Sequence, residues 1–106
     1  MSSIIKIAVD AMGGDSSPTK IIEGIIHHHT LSKDIHYKIF GDEEKISRLI
    51  ENKIDKKKYQ IVNTLNKVLS EDSPLEAAKR GKDTSMWLAI ESVKNKETDI
   101  VISAGN

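Results

Sequence analysis

The sequence predicts an α/β fold in which a mostly parallel, doubly wound sheet lies between two layers of helices. Short runs of β-branched residues alternate with longer segments whose apolar residues recur at helical spacing, in the order β-α-β-α-β-α-α-β. The first run is apolar at almost every position, as is typical of a strand buried on both faces of a parallel sheet. Right-handed crossovers in the commonest doubly wound order place this strand centrally, with the second strand on one side and the fourth on the other.

A glycine turn joins the first strand, residues 4–9, to the first helix. Ser17 is a good N-cap, and Pro18 suits the first helical position because its missing N–H would be unpaired there anyway. We expect this helix to end near Thr30. Its apolar stripe consists of four isoleucines, Ile21, Ile22, Ile25 and Ile26.

The middle of the chain predicts two further strands around a second helix. Residues 35–41 form the second strand and residues 59–63 the third. Asp42 caps the intervening helix, which extends to Ile54. The buried side of that helix consists of Ile46, Leu49, Ile50 and Ile54. The lysine run 56–58 is interpreted as a solvated loop, because the flanking helix is rich in acidic residues.

The last part predicts two helices and a fourth strand. A capping box of Ser73 and Glu76 starts a short helix that stops at Gly81. Asp83 or Thr84 caps the longer helix that follows. Its predicted apolar stripe is Met86, Ala89, Ile90 and Val93, and the fourth strand is "DIVISA", which leads into the start of another turn.

Charge and composition exclude several classes of function. The 16 basic and 16 acidic residues balance, so no long-range field attracts nucleic acid or anionic lipid. The absence of cysteine excludes disulfides, thiolate zinc sites and a cysteine nucleophile. The first apolar run is too short and too interrupted for a signal peptide or a membrane span. A soluble cytoplasmic protein is expected.

The turn "DAMGGD" has the composition of an anion site. Gly13 and Gly14 permit positive φ and bring successive backbone N–H groups close to a phosphate or carboxylate oxygen. Asp10 and Asp15 would repel a phosphate, so they are interpreted as groups that fix the loop, accept from a ligand hydroxyl or hold a cation. The alternative is a tight strand-to-helix turn without a ligand, with the aspartates as caps.

A second small polar turn, "SAGN", follows the fourth strand and contains Ser103, Gly105 and Asn106. Parallel sheets bind ligands at the carboxyl ends of the strands where the winding reverses, so both turns are expected at that crevice. A simple strand ending is the alternative for "SAGN". Neither the G-x-G-x-x-G fingerprint nor a phosphate-binding loop motif occurs, which disfavours a nicotinamide dehydrogenase.

Two further groups of polar residues were considered as ligand sites. Arg80, Lys82 and Ser85 flank the start of the longer helix, where they would neutralise a phosphate or remain as solvated helix-end groups. The three histidines at 27–29 are interpreted as a helix surface, because successive helical residues point about 100° apart and do not converge on one metal ion.

Taken together, "IKIAVDAMGGDSSP", "SPLEAAKRGKDTSMWLAIESVK" and "DIVISAGN" resemble the amino-terminal part of the bacterial phosphate acyltransferases of the PlsX type. The resemblance covers residues 1–106 as part of a single α/β domain, with no separate second domain. It implies a three-layer α/β/α fold like those of isocitrate dehydrogenases and phosphotransacetylases, truncated here after the fourth strand.

The resemblance also implies an activity, the transfer of a fatty acyl group from acyl carrier protein to inorganic phosphate. The acyl phosphate formed would serve phospholipid synthesis. A homodimer that associates peripherally with the membrane is implied, without a metal or nucleotide cofactor. The implied phosphate or substrate site comprises Asp10, Gly13, Gly14, Asp15, Arg80, Lys82, Ser85, Ser103, Gly105 and Asn106. None of these is an obvious nucleophile or general base, so no catalytic residue is assigned.

Members of this family are longer than 106 residues, which leaves three interpretations open. The chain is one piece of a functional acyltransferase, a remnant without activity, or an interaction module that pairs with another chain. The fourth strand is expected to have an unpaired apolar edge, which favours association.

Overall fold

The computed structural model describes residues 4–13, 18–32, 34–64 and 84–103. Strands and helices alternate along these residues, and a short 3₁₀ helix, Lys56–Lys58, precedes the third strand. The elements are β1 Ile5–Asp10, α1 Thr19–His29, β2 Ile35–Gly41, α2 Glu43–Ile50, β3 Tyr59–Asn63, α3 Ser85–Lys94 and β4 Ile100–Ser103.

The four strands form one parallel sheet in the order β3-β2-β1-β4. This order confirms the predicted central position of β1, with β2 on one side and β4 on the other. The winding reverses between β1 and β4, so the carboxyl ends of these two strands are adjacent at the point where such sheets bind ligands.

Helices cover both faces of the sheet, which confirms the α/β/α arrangement. Ile7 and Val9 of β1 lie in a buried cluster with residues of α1 and α2, among them Ile22 and Ile46. On the other face, Ala8 packs with Phe40 of β2 and Ala89 of α3. Successive residues of a strand point to opposite faces, so β1 contributes to both clusters. Only its last four residues are buried, whereas Ile5 is exposed.

The ends of α1 and α2 differ in part from the prediction. Pro18 occupies the cap position of α1 rather than its first turn, and Ser17 lies outside the described residues. The predicted end near Thr30 is confirmed, since Thr30 is the C-cap. Asp42 caps α2 as predicted, and its side chain accepts a hydrogen bond from the Lys45 N–H.

The predicted extension of α2 to Ile54 is wrong, because α2 ends at Ile50. Asn52 adopts the left-handed conformation with φ of 63°, which asparagine tolerates better than most residues and which stops a right-handed helix. Ile54 is nevertheless buried in the same core cluster, so its apolar character serves packing outside the helix. The predicted short helix from Ser73 to Gly81 lies outside the described residues.

The apolar stripe predicted for α3 is confirmed only in part, since Ala89 is buried, Met86 and Val93 are half-buried, and Ile90 is exposed. The buried residues of this helix are Ser85, Ala89 and Ser92, whereas Ile90 is 40% exposed. The two serines are buried because each hydroxyl has a partner. Ser85 bonds Asp10, and Ser92 bonds the Ala89 carbonyl oxygen. Hydrogen bonding and small size therefore decide which face of α3 meets the sheet.

The predicted apolar edge at β4 is confirmed within the described sheet. β4 is a terminal strand that pairs with β1 on one side. Ile100 and Ile102 share the register of Ile7 and Val9, so they point to the face that α1 and α2 cover elsewhere. Both isoleucines are 48% exposed, so the apolar surface at this end of the sheet is not covered by α1 or α2.

Candidate functional site

The candidate site is built around the last residues of β1 and β4. Asp10 and Ser103 are register partners in the parallel pair, and the Ser103 hydroxyl donates to Asp10 Oδ2 over 2.7 Å. The two turns that the sequence singles out, after β1 and after β4, therefore start from adjacent points of one sheet edge.

Helix α3 brings a third polar group to this edge. Thr84 caps the helix, and its hydroxyl oxygen accepts from the Trp87 N–H over 3.1 Å. In the first turn, the Ser85 hydroxyl donates to Asp10 Oδ1. One turn later Ala89 packs on Ala8, so the helix runs antiparallel to β1 and its amino-terminal end lies at the carboxyl edge of the sheet.

Asp10 also holds the start of the glycine turn. Its Oδ1 atom accepts from the Met12 N–H over 3.1 Å, and the Ala11 N–H donates to the Phe40 carbonyl oxygen over 3.0 Å. Asp10 is only 1% exposed. Burial of a carboxylate is costly unless hydrogen bonds replace its hydration, and here three donors do so. The expectation that Asp10 fixes the loop through a backbone N–H agrees with this geometry.

The structure thus brings together three of the predicted site residues, Asp10, Ser85 and Ser103. Gly13 follows Met12 in the turn that Asp10 holds. The other predicted site residues lie outside the described part of the chain, and they are Gly14, Asp15, Arg80, Lys82, Gly105 and Asn106.

The sequence analysis missed Thr64, which directly follows β3 at the same edge of the sheet. Its N–H donates to the Gly41 carbonyl oxygen over 2.7 Å. The side chain is buried, and its hydroxyl has no hydrogen-bond partner within the described part of the chain. Unpartnered buried hydroxyl groups are uncommon in folded proteins. The signal in the sequence is a polar residue at the carboxyl end of the strand "YQIVN", and Ser103 is likewise a polar residue at the carboxyl end of β4.

The histidine run lies on the last turn of α1, away from this edge. His28 Nδ1 lies 2.6 Å from the buried Tyr37 hydroxyl, and His27 is exposed. Burial raises the pKa of Tyr37 above its usual value of 10.0. Across residues 4–13, 18–32, 34–64 and 84–103, no three His, Cys, Asp or Glu side chains are grouped so as to hold a metal ion.

A second titrating group lies towards the amino-terminal ends of the strands. Burial lowers the pKa of His36 below 6.5, and the positive charges of Lys6 and Lys38 lower it further. Lys38 itself forms an ion pair with Glu97 at 2.6 Å. None of the helices in the described part of the chain is long and apolar enough to cross a membrane.

Comparisons of the sequence with known proteins find a family profile and several relatives. A family profile described as "Fatty acid synthesis protein" matches residues 5–106. Phosphate acyltransferase from Pelagibacter ubique (strain HTCC1062) is 61% identical over 106 residues, which are 100% of this chain and 32% of that protein. Phosphate acyltransferase from Listeria innocua is 47% identical over 96% of this chain and 29% of that protein. The corresponding protein of Enterococcus faecalis is 43% identical over 96% of this chain and 30% of its own length.

The chain therefore spans about a third of the length of the curated relatives it matches. The family profile covers almost every residue of the chain, including the cluster around Asp10 and the segment "SAGN". The chain belongs to the fatty acid synthesis protein family.

Proposed function

We propose that this chain forms part of a phosphate acyltransferase that converts an acyl-[acyl-carrier-protein] thioester and inorganic phosphate into acyl phosphate. The observation that carries the proposal is the 61% identity along the whole chain to a protein named phosphate acyltransferase. The geometry supports it, because Asp10, Ser85 and Ser103 meet at the sheet edge where parallel α/β folds bind their ligands.

The proposed reaction is acyl transfer between two nucleophiles. A phosphate oxygen attacks the thioester carbonyl, a carbon–oxygen bond forms, and the carbon–sulfur bond breaks to release the carrier thiolate, which takes up a proton. The site must hold a phosphate that carries negative charge and must donate to the oxyanion that develops on the carbonyl. The reaction as proposed needs no metal or nucleotide cofactor, and it leaves the catalytic residue unassigned.

The residues of this chain suit the binding part of that task. The Gly13 and Gly14 backbone and the Asn106 amide are proposed as hydrogen-bond donors, with Asp10 and Asp15 holding the turn. Arg80 and Lys82 would supply positive charge for the phosphate or the carrier, and Ser85, Ser103 and Gly105 complete the proposed site. The first turn of α3 contributes the positive end of a ten-residue helix at this edge.

The partners follow from the same proposal. Acyl carrier protein and inorganic phosphate are the proposed substrates, and the product would enter phospholipid synthesis. A homodimer in the cytoplasm with peripheral membrane contact is proposed from the family resemblance.

An interaction module is the second candidate function, and the exposed face of β4 favours it. Ile100 and Ile102 present apolar surface at a sheet edge, which is a template for pairing with another chain. A stable stoichiometric complex without any acyl transfer would support this candidate over the first.

The test of the acyltransferase proposal is a chimera in which this chain replaces the matching segment of the Pelagibacter ubique relative. We expect the chimera to form acyl phosphate from acyl-[acyl-carrier-protein] in proportion to added phosphate. Hydroxylamine would trap the product as a hydroxamate, and release of the carrier thiol would be followed in parallel. A folded chimera that forms no acyl phosphate above a protein-free blank would contradict the proposal.

A variant pair tests the glycine turn within that chimera. Gly14→Asp places a carboxylate where the phosphate is proposed to bind, so the KM for phosphate should rise. Gly24→Asp is the matched control, because Gly24 is exposed on α1 and a side chain there meets nothing within 4 Å. An unchanged KM for phosphate in Gly14→Asp would show that the turn is not part of the phosphate site.

A further inference from the structure

The pairing of β1 with β4 is closed by an aspartate at each end. At the amino-terminal end, Asp99 Oδ2 accepts from the Lys6 N–H over 2.8 Å. At the carboxyl end, Asp10 Oδ2 accepts from the Ser103 hydroxyl over 2.7 Å. Both hydrogen bonds join residues 93 positions apart. The two aspartates nevertheless differ in their exposure to solvent. Asp99 is exposed and Asp10 is buried.

Asp10 is buried, unlike Asp99, because its other carboxylate oxygen, Oδ1, also has hydrogen-bond partners. Asp10 Oδ1 accepts from the Ser85 hydroxyl of α3 and from the Met12 N–H of the turn. An ionised carboxylate only accepts hydrogen bonds, and each serine hydroxyl has one hydrogen to donate. The carboxylate therefore directs both hydroxyl hydrogens inward and ties together three chain segments, the start of α3, the end of β4 and the turn after β1.

The same geometry argues against direct contact between Asp10 and a phosphate. Both oxygens are engaged and the side chain is 1% exposed. Neither ion pair among the described residues includes Asp10, so no described cation within ion-pair distance offsets its charge. A phosphate placed against this carboxylate would be repelled in a poorly solvated site.

We propose that Asp10 is a positioning residue of the acyl-transfer site, which acts through Ser85 and Ser103 and does not touch the substrate. This proposal rests on the proposed function. Asp10 holds the turn that contains Gly13, the first turn of α3 and the end of β4 in one arrangement, so that backbone N–H groups of these segments face a common phosphate. Preorganised donors bind and stabilise charge without reorganisation during the reaction.

The variant Asp10→Asn separates this role from packing. Asparagine has nearly the same shape as aspartate, but an NH₂ group replaces one of the two carboxylate oxygens. At least one of the three donors, the Met12 N–H and the hydroxyls of Ser85 and Ser103, must then lose its acceptor, unless a serine reverses its hydroxyl to accept from the NH₂ group. The volume at the site is unchanged, so a large effect reports the hydrogen-bond arrangement.

The experiment uses the chimera with Asp10→Asn, Ser85→Ala, the double variant and Asp99→Asn as the matched control. We expect Asp10→Asn to raise the KM for phosphate by about 10-fold or more, with the KM for acyl-[acyl-carrier-protein] within about twofold of the parent. Ser85→Ala should act in the same direction, and the double variant should be no worse than Asp10→Asn alone. Asp99→Asn should lower the melting temperature but leave the KM for phosphate within about twofold.

Two results would overturn the proposal. The first is a KM for phosphate in Asp10→Asn that equals that of Asp99→Asn at a similar melting temperature, which would make Asp10 a structural residue only. The second is a double variant whose effect is the product of the two single effects, since Asp10 would then act independently of Ser85. A parent chimera without acyl phosphate formation would refute the proposed function instead. In that case the melting temperatures of the same four variants test whether Asp10 acts through Ser85. Additive shifts in melting temperature for Asp10→Asn and Ser85→Ala would overturn that part of the proposal.

Discussion

Gly41 lies so close to Ile46 that a Cβ atom at position 41 would be 2.7 Å from Ile46 Cδ1. The Met12 side chain closes the other side, with Cγ and Sδ at 3.0 Å from the same point. Gly41 ends β2, so the absence of a side chain there lets α2 and the turn after β1 approach the same strand end. The position of Met12, two residues from Asp10, depends on this close approach.

Substitution of Gly41 by alanine should therefore destabilise the protein. We expect a loss of about 1–3 kcal/mol in the free energy of unfolding, because Ile46 is fully buried and must move. Urea denaturation followed by circular dichroism measures the change. The matched control is Gly24→Ala on the exposed face of α1, where nothing lies within 4 Å. That substitution should stabilise by about 0.5–1 kcal/mol through helix propensity. Equal effects at both positions would contradict the packing argument.

Thr64→Val should stabilise the protein, because it removes a buried hydroxyl that has no hydrogen-bond partner among residues 4–13, 18–32, 34–64 and 84–103. The expected gain in the free energy of unfolding is about 1 kcal/mol, within the range of the cost of an unsatisfied buried polar group. Thermal and urea denaturation would measure it. A loss of stability would show that the hydroxyl is hydrogen-bonded in solution.

Kinetics of Thr64→Val in the chimera provide a separate result. If the Thr64 hydroxyl does not contact the substrate, the KM for phosphate should be unchanged. A raised KM would instead place Thr64 among the groups that contact the substrate at the carboxyl edge of the sheet.

Stability should depend on the protonation of His36. Its pKa in the folded state lies below the unfolded value of 6.5 because of burial and the nearby charges of Lys6 and Lys38. The unfolded state therefore binds the proton more readily. The stability that the neutral form contributes is present above pH 6.5 and is lost as the pH falls through 6.5 towards the folded pKa.

The variant His36→Gln isolates this contribution. We expect its free energy of unfolding to fall less than that of the parent when urea denaturation at pH 7.5 is compared with pH 5.5, the interval about the reference pKa of histidine. Identical pH dependence in the two proteins would exclude His36 as its source.

The exposed face of β4 should promote self-association of the 106-residue chain. Ile102→Lys places a charge at an edge strand and should lower the association constant, with little loss of stability because Ile102 is 48% exposed. Sedimentation at several protein concentrations measures association. Ile90→Lys on α3 is the control, since Ile90 is also exposed but lies on a helix. The edge would not be the contact surface if both variants associate equally.

Much of the fold was predictable from local patterns. The bounds of β2 and β3 agree with the apolar runs at 35–41 and 59–63, and the Asp42 cap was recognisable from its position before an amphipathic segment. Each of these features depends on residues within one or two turns of the chain. The end of α2 was not predictable in this way, because Ile54 continues the helical spacing while Asn52 breaks the helix.

The sequence by itself determined the order of the described strands and helices and the family, and it predicted the two turns beside the candidate site, since these depend on residue type and spacing along the chain. Only the tertiary structure decided that one carboxylate, Asp10, joins Ser85 and Ser103, which lie 75 and 93 positions away. The physical reason is that the register of β1 with β4 sets which residues meet. The hydrogen bond from Ser85 also orients α3, whose buried residues are Ser85, Ala89 and Ser92.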